Sequence, residues 1–195
     1  MNSTEEATET VAEQPLVPQF REILASGDAE AMSELVRGRP ISDALRGFLR
    51  LNSEERDAVL SLLPADTAAA LIDEAPTEIA ADLVERLQSV TAADIIDELD
   101  SDVQADVIGE IHTPEAEAIL AVMDDEDAAD VRRLVVYDTE SAGGLMVAEA
   151  FTFRADDTVS AVLQRVIDGD ADFERYRGQH PYILDLDGRP VGVAV

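Results

Sequence analysis

Aspartate recurs at one place in a twelve-residue frame: Asp82, Asp94, Asp106 and Asp130 each stand seventh in a dodecamer. Carboxylates at regular intervals can attract a divalent cation, because hard cations take oxygen ligands. The same row can equally be a solvated helix face. Spacing alone leaves both readings open. Other chemistries find less to work with. There is no cysteine, so thiolate metal sites and disulfides are excluded. The two histidines, His112 and His180, have no ligand motif around them and read as turn or surface residues. No nucleophile–base pair stands out, and carboxylate pairs in so acidic a chain are uninformative. The sequence does not read as an enzyme.

Charge narrows the field further. The 195 residues hold 43 Asp and Glu against 14 basic residues, all of them arginine, for a formal net charge of −29. Such a chain repels phosphate backbones and anionic membrane surfaces, so neither nucleic acid nor direct membrane insertion is expected. It attracts cations, divalent ones above all, though the same acidity also serves solubility or a salty cytoplasm. The opening "MNSTEEATETVAEQPLVPQ" has no basic n-region and no apolar h-region; it reads as a disordered acidic tail. No apolar run approaches the ~18 residues of a membrane span.

The elements that must carry these carboxylates are written in the repeat. From Asn52 to Val135 the chain divides without a gap into seven dodecamers, from "NSEERDAVLSLL" to "DDEDAADVRRLV". The eighth column (Val59, Leu71, Leu83, Ile95, Val107, Ile119, Val131) is apolar throughout, and so is the twelfth. Columns five, eight, nine and twelve have the spacing i, i+3, i+4, i+7 of one helix face. Column five is mostly alanine (Ala68, Ala80, Ala92, Ala116, Ala128), which lets a neighbouring helix approach closely. At 100° per residue, twelve residues rotate that stripe by about 120°, so one continuous helix would scatter it. The helix must break once per repeat. Column two supplies the expected N-caps, among them Ser53, Thr77, Ser89, Ser101 and Thr113, with acids such as Asp102 in the first turn. Ser101 with Gln104 suggests a capping box, and Pro114 a first helical position. A degenerate eighth unit, "PISDALRGFLRL", precedes the seven, with Ala44, Phe48 and Leu51 on its face. Aromatic residues are only 4% of the chain, which suits close-packed helices. The expected fold class is mainly α: a right-handed superhelical stack of short helices, a scaffold or binding architecture.

The texture changes at "YDTESAGGLM", where Gly143-Gly144 marks a linker or sharp turn. "AFTF" reads as a strand. Asp157 or Thr158 can cap a helix with Val159, Val162, Leu163 and Val166 along one side. "YILDLDGRPVGVAV" reads as a hairpin turning at Asp187-Gly188. A β-α-β-β unit that stops there is expected to be incomplete.

The stretches "LLPADTAAALIDEAPTEIAADLVERL", "MDDEDAADVRRLVVYDTESAGGLM" and "DGRPVGVAV" resemble the cytosolic part of MgtE-type magnesium transporters, over roughly residues 20–195. The resemblance implies an acidic tail (1–18), a helical N domain (19–137), a linker holding "AGGLM" (138–150) and the beginning of a CBS domain (151–195). It also implies regulatory Mg2+ held weakly between carboxylate-lined N and CBS surfaces, gating a pore. Asp102 falls where the family has a bridging aspartate, a role it can share with complementing its helix dipole. Asp82, Asp94 and Asp106 are weaker candidate ligands. A second family carboxylate maps to Ala70, so that site is absent or rebuilt here. The implied partners are the remaining CBS domains and the membrane pore of the parent chain, in a homodimer at the cytoplasmic face of the membrane. The rival readings are a soluble CBS-containing scaffold and a FliG-like helical interaction module. The β-α-β-β segment argues against the latter.

Overall fold

Each dodecamer has room for about two and a half helical turns and a reversal, and each builds one helix. The computed structural model describes residues 16–139, 141–148, 152–167 and 180–194. The seven repeats form α4 (Ser53–Leu62), α5 (Ala65–Asp73), α6 (Thr77–Glu85), α7 (Ser89–Ile96), α8 (Ser101–Glu110), α9 (Thr113–Leu120) and α10 (Asp125–Leu134). The degenerate unit is α3 (Ile41–Phe48), with Ala44, Phe48 and Leu51 buried as its pattern demands. Two helices outside the repeat, α1 (Leu16–Ser26) and α2 (Ala29–Arg37), precede it. The fold is mainly helical, as the periodicity requires. Of the tail expected over residues 1–18, residues 1–15 lie outside the described residues, and residues 16–18 instead open α1.

The apolar columns become the core. All seven residues of column eight are buried, as are the column-five alanines. In column twelve, Ala75, Leu87 and Val135 stay half-buried. Helices pack mainly on the second helix along the chain: α3 on α5, α5 on α7 and α7 on α9 in one row, α6 on α8 and α8 on α10 in the other. Two rows let a stripe that turns about 120° per unit find cover on alternating sides. At the N-terminal end, Phe20 and Phe48 meet edge-to-face with ring centroids 6.5 Å apart.

The helix starts lie one residue earlier than expected. Column one supplies the N-caps: Asn52, Pro64, Pro76, Gln88, Asp100, His112 and Asp124. Column two is the first helical residue, so Pro114 stands second in α9 after Thr113. Each cap residue has an extended ψ, and proline's fixed φ and missing N–H suit a position that has left one helix and not yet joined the next. Asn52 makes a true capping box with Glu55: the Glu55 amide donates to Asn52 Oδ1 at 2.8 Å, and the Asn52 amide donates to Glu55 Oε2 at 3.0 Å. Ser101 and Gln104 do not form one. Both are buried, and Gln104 Nε2 donates to the Leu99 carbonyl at 2.9 Å, satisfying the end of the preceding turn instead.

The described residues fall into two compact units, one ending at Met146 and one beginning at Val147. The break lies inside the stretch read as a linker. The first unit closes with a turn in which the Ser141 amide donates to the Asp138 carbonyl at 2.9 Å and the Gly144 amide to Ser141 Oγ at 3.2 Å. Gly143 lies directly under the Tyr137 ring, where a Cβ would collide with it, so this glycine serves close packing.

In the second unit, β1 (Thr152–Arg154) pairs in parallel with β2 (Tyr182–Leu184), which pairs antiparallel with β3 (Pro190–Val193). α11 (Val159–Ile167) comes after β1 in the chain, capped by Thr158 Oγ1, which accepts from the Ala161 amide at 3.2 Å. Gly188 takes φ +77° at the hairpin, as the Asp187-Gly188 signal anticipates. Along α11, Val159 and Leu163 are exposed; the side chain of Val166 lies outside the described residues.

Candidate cation-facing surface

Packing in two rows divides the aspartate series. Asp82, Asp106 and Asp130 ride on α6, α8 and α10, which pack on one another in turn. Asp94 rides on α7, whose packing partners α5 and α9 carry Ala70 and Ala118 in the same column. The four therefore do not form one ladder. Asp82 lies one turn from Arg86, whose guanidinium pairs with Asp57 at 2.8 Å. Asp130 pairs with Arg133 at 3.0 Å.

Asp102 and Asp106 do come together. Asp102 is the second residue of α8, half-buried, with the Val103 amide donating to its Oδ1 at 2.9 Å. Asp106 stands one turn later and Glu110 one turn after that, on one face of the helix. Burial raises the proton affinity of Asp106, and the like charges of Asp102 and Glu110 add to it. Asp106 and Glu110 line a cleft of about 270 Å³ between α8, the end of α10 and the glycine turn, with Gly109, Tyr137 and Asp138.

A second cleft, of about 260 Å³, lies where α5 meets the loop from α7 to α8. Asp66, Asp73, Glu98 and Asp100 ring it, and Ala70 lies on its wall. Burial opposes ionisation of Asp66, but hydrogen bonds from Thr67 and the Arg37 guanidinium at 2.5 Å outweigh it and keep its pKa low.

The most perturbed carboxylate is one that the periodic pattern does not single out. Asp97, the C-cap of α7, is pushed up to about 6 by burial first, then by Asp127 and Asp124 at the start of α10, and by Asp94 and Glu98. Asp97 is nonetheless exposed to water, so the repulsion of four neighbouring charges is the firmer cause. The signal that could have found it is the run "DDED" at 124–127, the densest acid in the chain. His112 Nδ1 lies 2.6 Å from Glu85 Oε1 and His180 is exposed, in keeping with turn and surface roles. Among the described residues no three Asp, Glu or His converge tightly enough to make a closed metal cage. The carboxylates form open, one-sided groups.

The sequence of the MgtE intracellular N domain matches residues 39–140, just over half of the chain. The chain belongs to this family. The MgtE membership covers α3 to α10 and the turn after them. Among solved structures, the chain is similar to the cytosolic domain of the Mg2+ channel MgtE in complex with ATP, with 28% identity, a TM-score of 0.74, and coverage of 91% of this chain and 72% of that one. It also shares its fold with the soluble part of a magnesium transporter, with 19% identity, a TM-score of 0.73, and coverage of 91% and 70% respectively. No curated protein sequence matches it. No helix among the described residues is long and apolar enough to cross a membrane.

Proposed function

We propose that this chain is the cytosolic regulatory region of an MgtE-like magnesium transporter or channel, and that Mg2+ bridging its acidic helical face to a CBS-type partner surface holds the pore shut. The family membership of the helical unit carries this reading. The β-α-β-β unit after Val147 would be the first part of the CBS partner, and a homodimer at the cytoplasmic face the working assembly.

The donor set suits the ion. Mg2+ sheds water reluctantly and takes one or two carboxylates from any one surface, so an open group needs a second surface to complete it. Asp102 and Asp106, with Glu110 behind them, are such a group on α8. Asp82 and Asp94 are separate and weaker candidates. The acid ring around Ala70 is the rebuilt form of the site whose family carboxylate is missing, with Asp73 and Asp66 one turn to either side. Many weak sites that share one rigid-body motion can shift a two-state equilibrium together.

The test is compaction. The parent protein's cytosolic region, carried through both CBS domains, is titrated with Mg2+ from micromolar to tens of millimolar and followed by small-angle scattering. Contraction is expected, with a midpoint that rises several-fold in Asp102→Asn. Dimensions that stay constant across the titration overturn the sensor reading. An unchanged midpoint in the variant removes Asp102 from the ligand set.

A further inference from the structure

Residues 16–86 and residues 87–131 each hold fourteen Asp and Glu, but the first stretch has seven arginines and the second has no arginine or lysine at all. The second stretch builds α7, α8, α9 and the first half of α10. The ion pairs that tie helix to helix track the arginines. Arg21 pairs with Glu55 at 2.7 Å, joining α1 to α4; Arg37 with Asp66 at 2.5 Å, joining α2 to α5; Arg86 with Asp57 at 2.8 Å, joining the end of α6 to α4. At the acidic end, Arg132, one residue beyond the stretch, reaches Glu117 at 3.3 Å, and His112, between α8 and α9, reaches back to Glu85 at 2.6 Å.

The apolar packing is uneven in the same direction. Both buried aromatic rings of the helical unit, Phe20 and Phe48, lie in the arginine-bearing part. Around α7 to α10 the apolar core is Ala, Val, Ile, Leu and Met, with Ser101 and Gln104 buried beside it. A stack of repeats is close to one-dimensional, so each helix is stabilised by its own burial and its immediate neighbours, and one end can open without the other. Net charge of one sign works against the compact state wherever no opposite charge is interspersed.

We infer that α7 to α9 and the first half of α10 form a separately opening section of the stack, closed by the screening of any mobile cation and loosened at low ionic strength while α1 to α6 stay folded. This needs no Mg2+ site and no partner surface. The Debye length falls from about 30 Å at 0.01 M salt to about 3 Å at 1 M, which spans the range over which neighbouring helices feel each other's charge.

Amide hydrogen exchange on the full chain reads this directly, in KCl at about 10 mM and about 1 M with EDTA present to remove divalent ions. Protection over residues 89–131 is expected to rise about tenfold or more, and protection over α2 to α5 by much less. A uniform rise along the chain, as general salting-out would give, overturns the inference, and so does no rise. The triple variant Asp97→Asn, Asp124→Asn, Asp127→Asn should bring low-salt protection of the section most of the way to its high-salt value. If the triple variant keeps the full salt response, the inference fails even though the wild-type result stands. Neither outcome depends on Mg2+ sensing, so the two readings succeed or fail separately.

Discussion

Asp97 ends α7, where unpaired helix carbonyls already disfavour a negative charge, and the start of α10 brings Asp124 and Asp127 toward it. Its folded-state pKa of about 6 stands above the ordinary value near 4, so the folded chain binds this proton more tightly than the unfolded chain does. The ionised carboxylate therefore costs stability above pH ~6, and that cost fades as the pH falls through about 6 toward about 4. Part of the side chain faces water, and screening cuts the penalty to about 1 kcal/mol. Asp97→Asn should add about that much stability at pH 7.5 in urea unfolding and flatten the gain that the parent chain shows between pH 7 and 5. A variant no more stable than the parent at pH 7.5 refutes this account. Below pH ~4 the trend reverses, since hydrogen bonds from Arg21 hold the pKa of Glu55 low, and those from Thr67 and Arg37 hold that of Asp66 low against burial, and these are weakened on protonation. Asp102 and Asp106 were legible in the sequence because one helix holds both. Asp97 was not, because its closest opponents arrive from a helix more than two dozen residues later.

The twelve-residue frame determined which face of each helix is apolar, and every residue of columns eight and five that it marked from Ala68 onward is buried. It could not say which neighbour covers that face. Packing on the second helix along is decided in three dimensions, and it separated aspartates that the frame had aligned. The caps moved by one place for a local reason: the residue at each reversal must be extended, and the polar side chain after it is already helical. Ala80 and Ala118 test the packing at this scale, since one is buried on α6 and the other exposed on α9. Ala80→Leu should cost about 1–3 kcal/mol by forcing α6 away from its neighbours, while Ala118→Leu stays within about 0.5 kcal/mol of the parent. Thermal unfolding compares the two. Equal effects would mean that the alanine column is not where helices approach.

The two units differ in what holds them. The contiguous apolar core runs from Phe20 to Val131 and lies wholly within the first, whereas α11 of the second leaves Val159, Leu163 and Ile167 exposed. A unit with its own core is expected to fold on its own, so a chain cut after Met146 should keep the helical unfolding midpoint of the full chain. A midpoint well below it would show that the helical stack borrows stability from the β-α-β-β unit. The same fragment separates two roles of cations. With only the helical unit present, Mg2+ should stabilise no more than KCl of equal ionic strength, because an open carboxylate group lacks the second surface that would complete its site. If Mg2+ at millimolar concentration raises the fragment's midpoint well beyond the KCl control, the ion is captured within the helices themselves. Bridging between units would then be the wrong picture of how this acidic stack responds to magnesium.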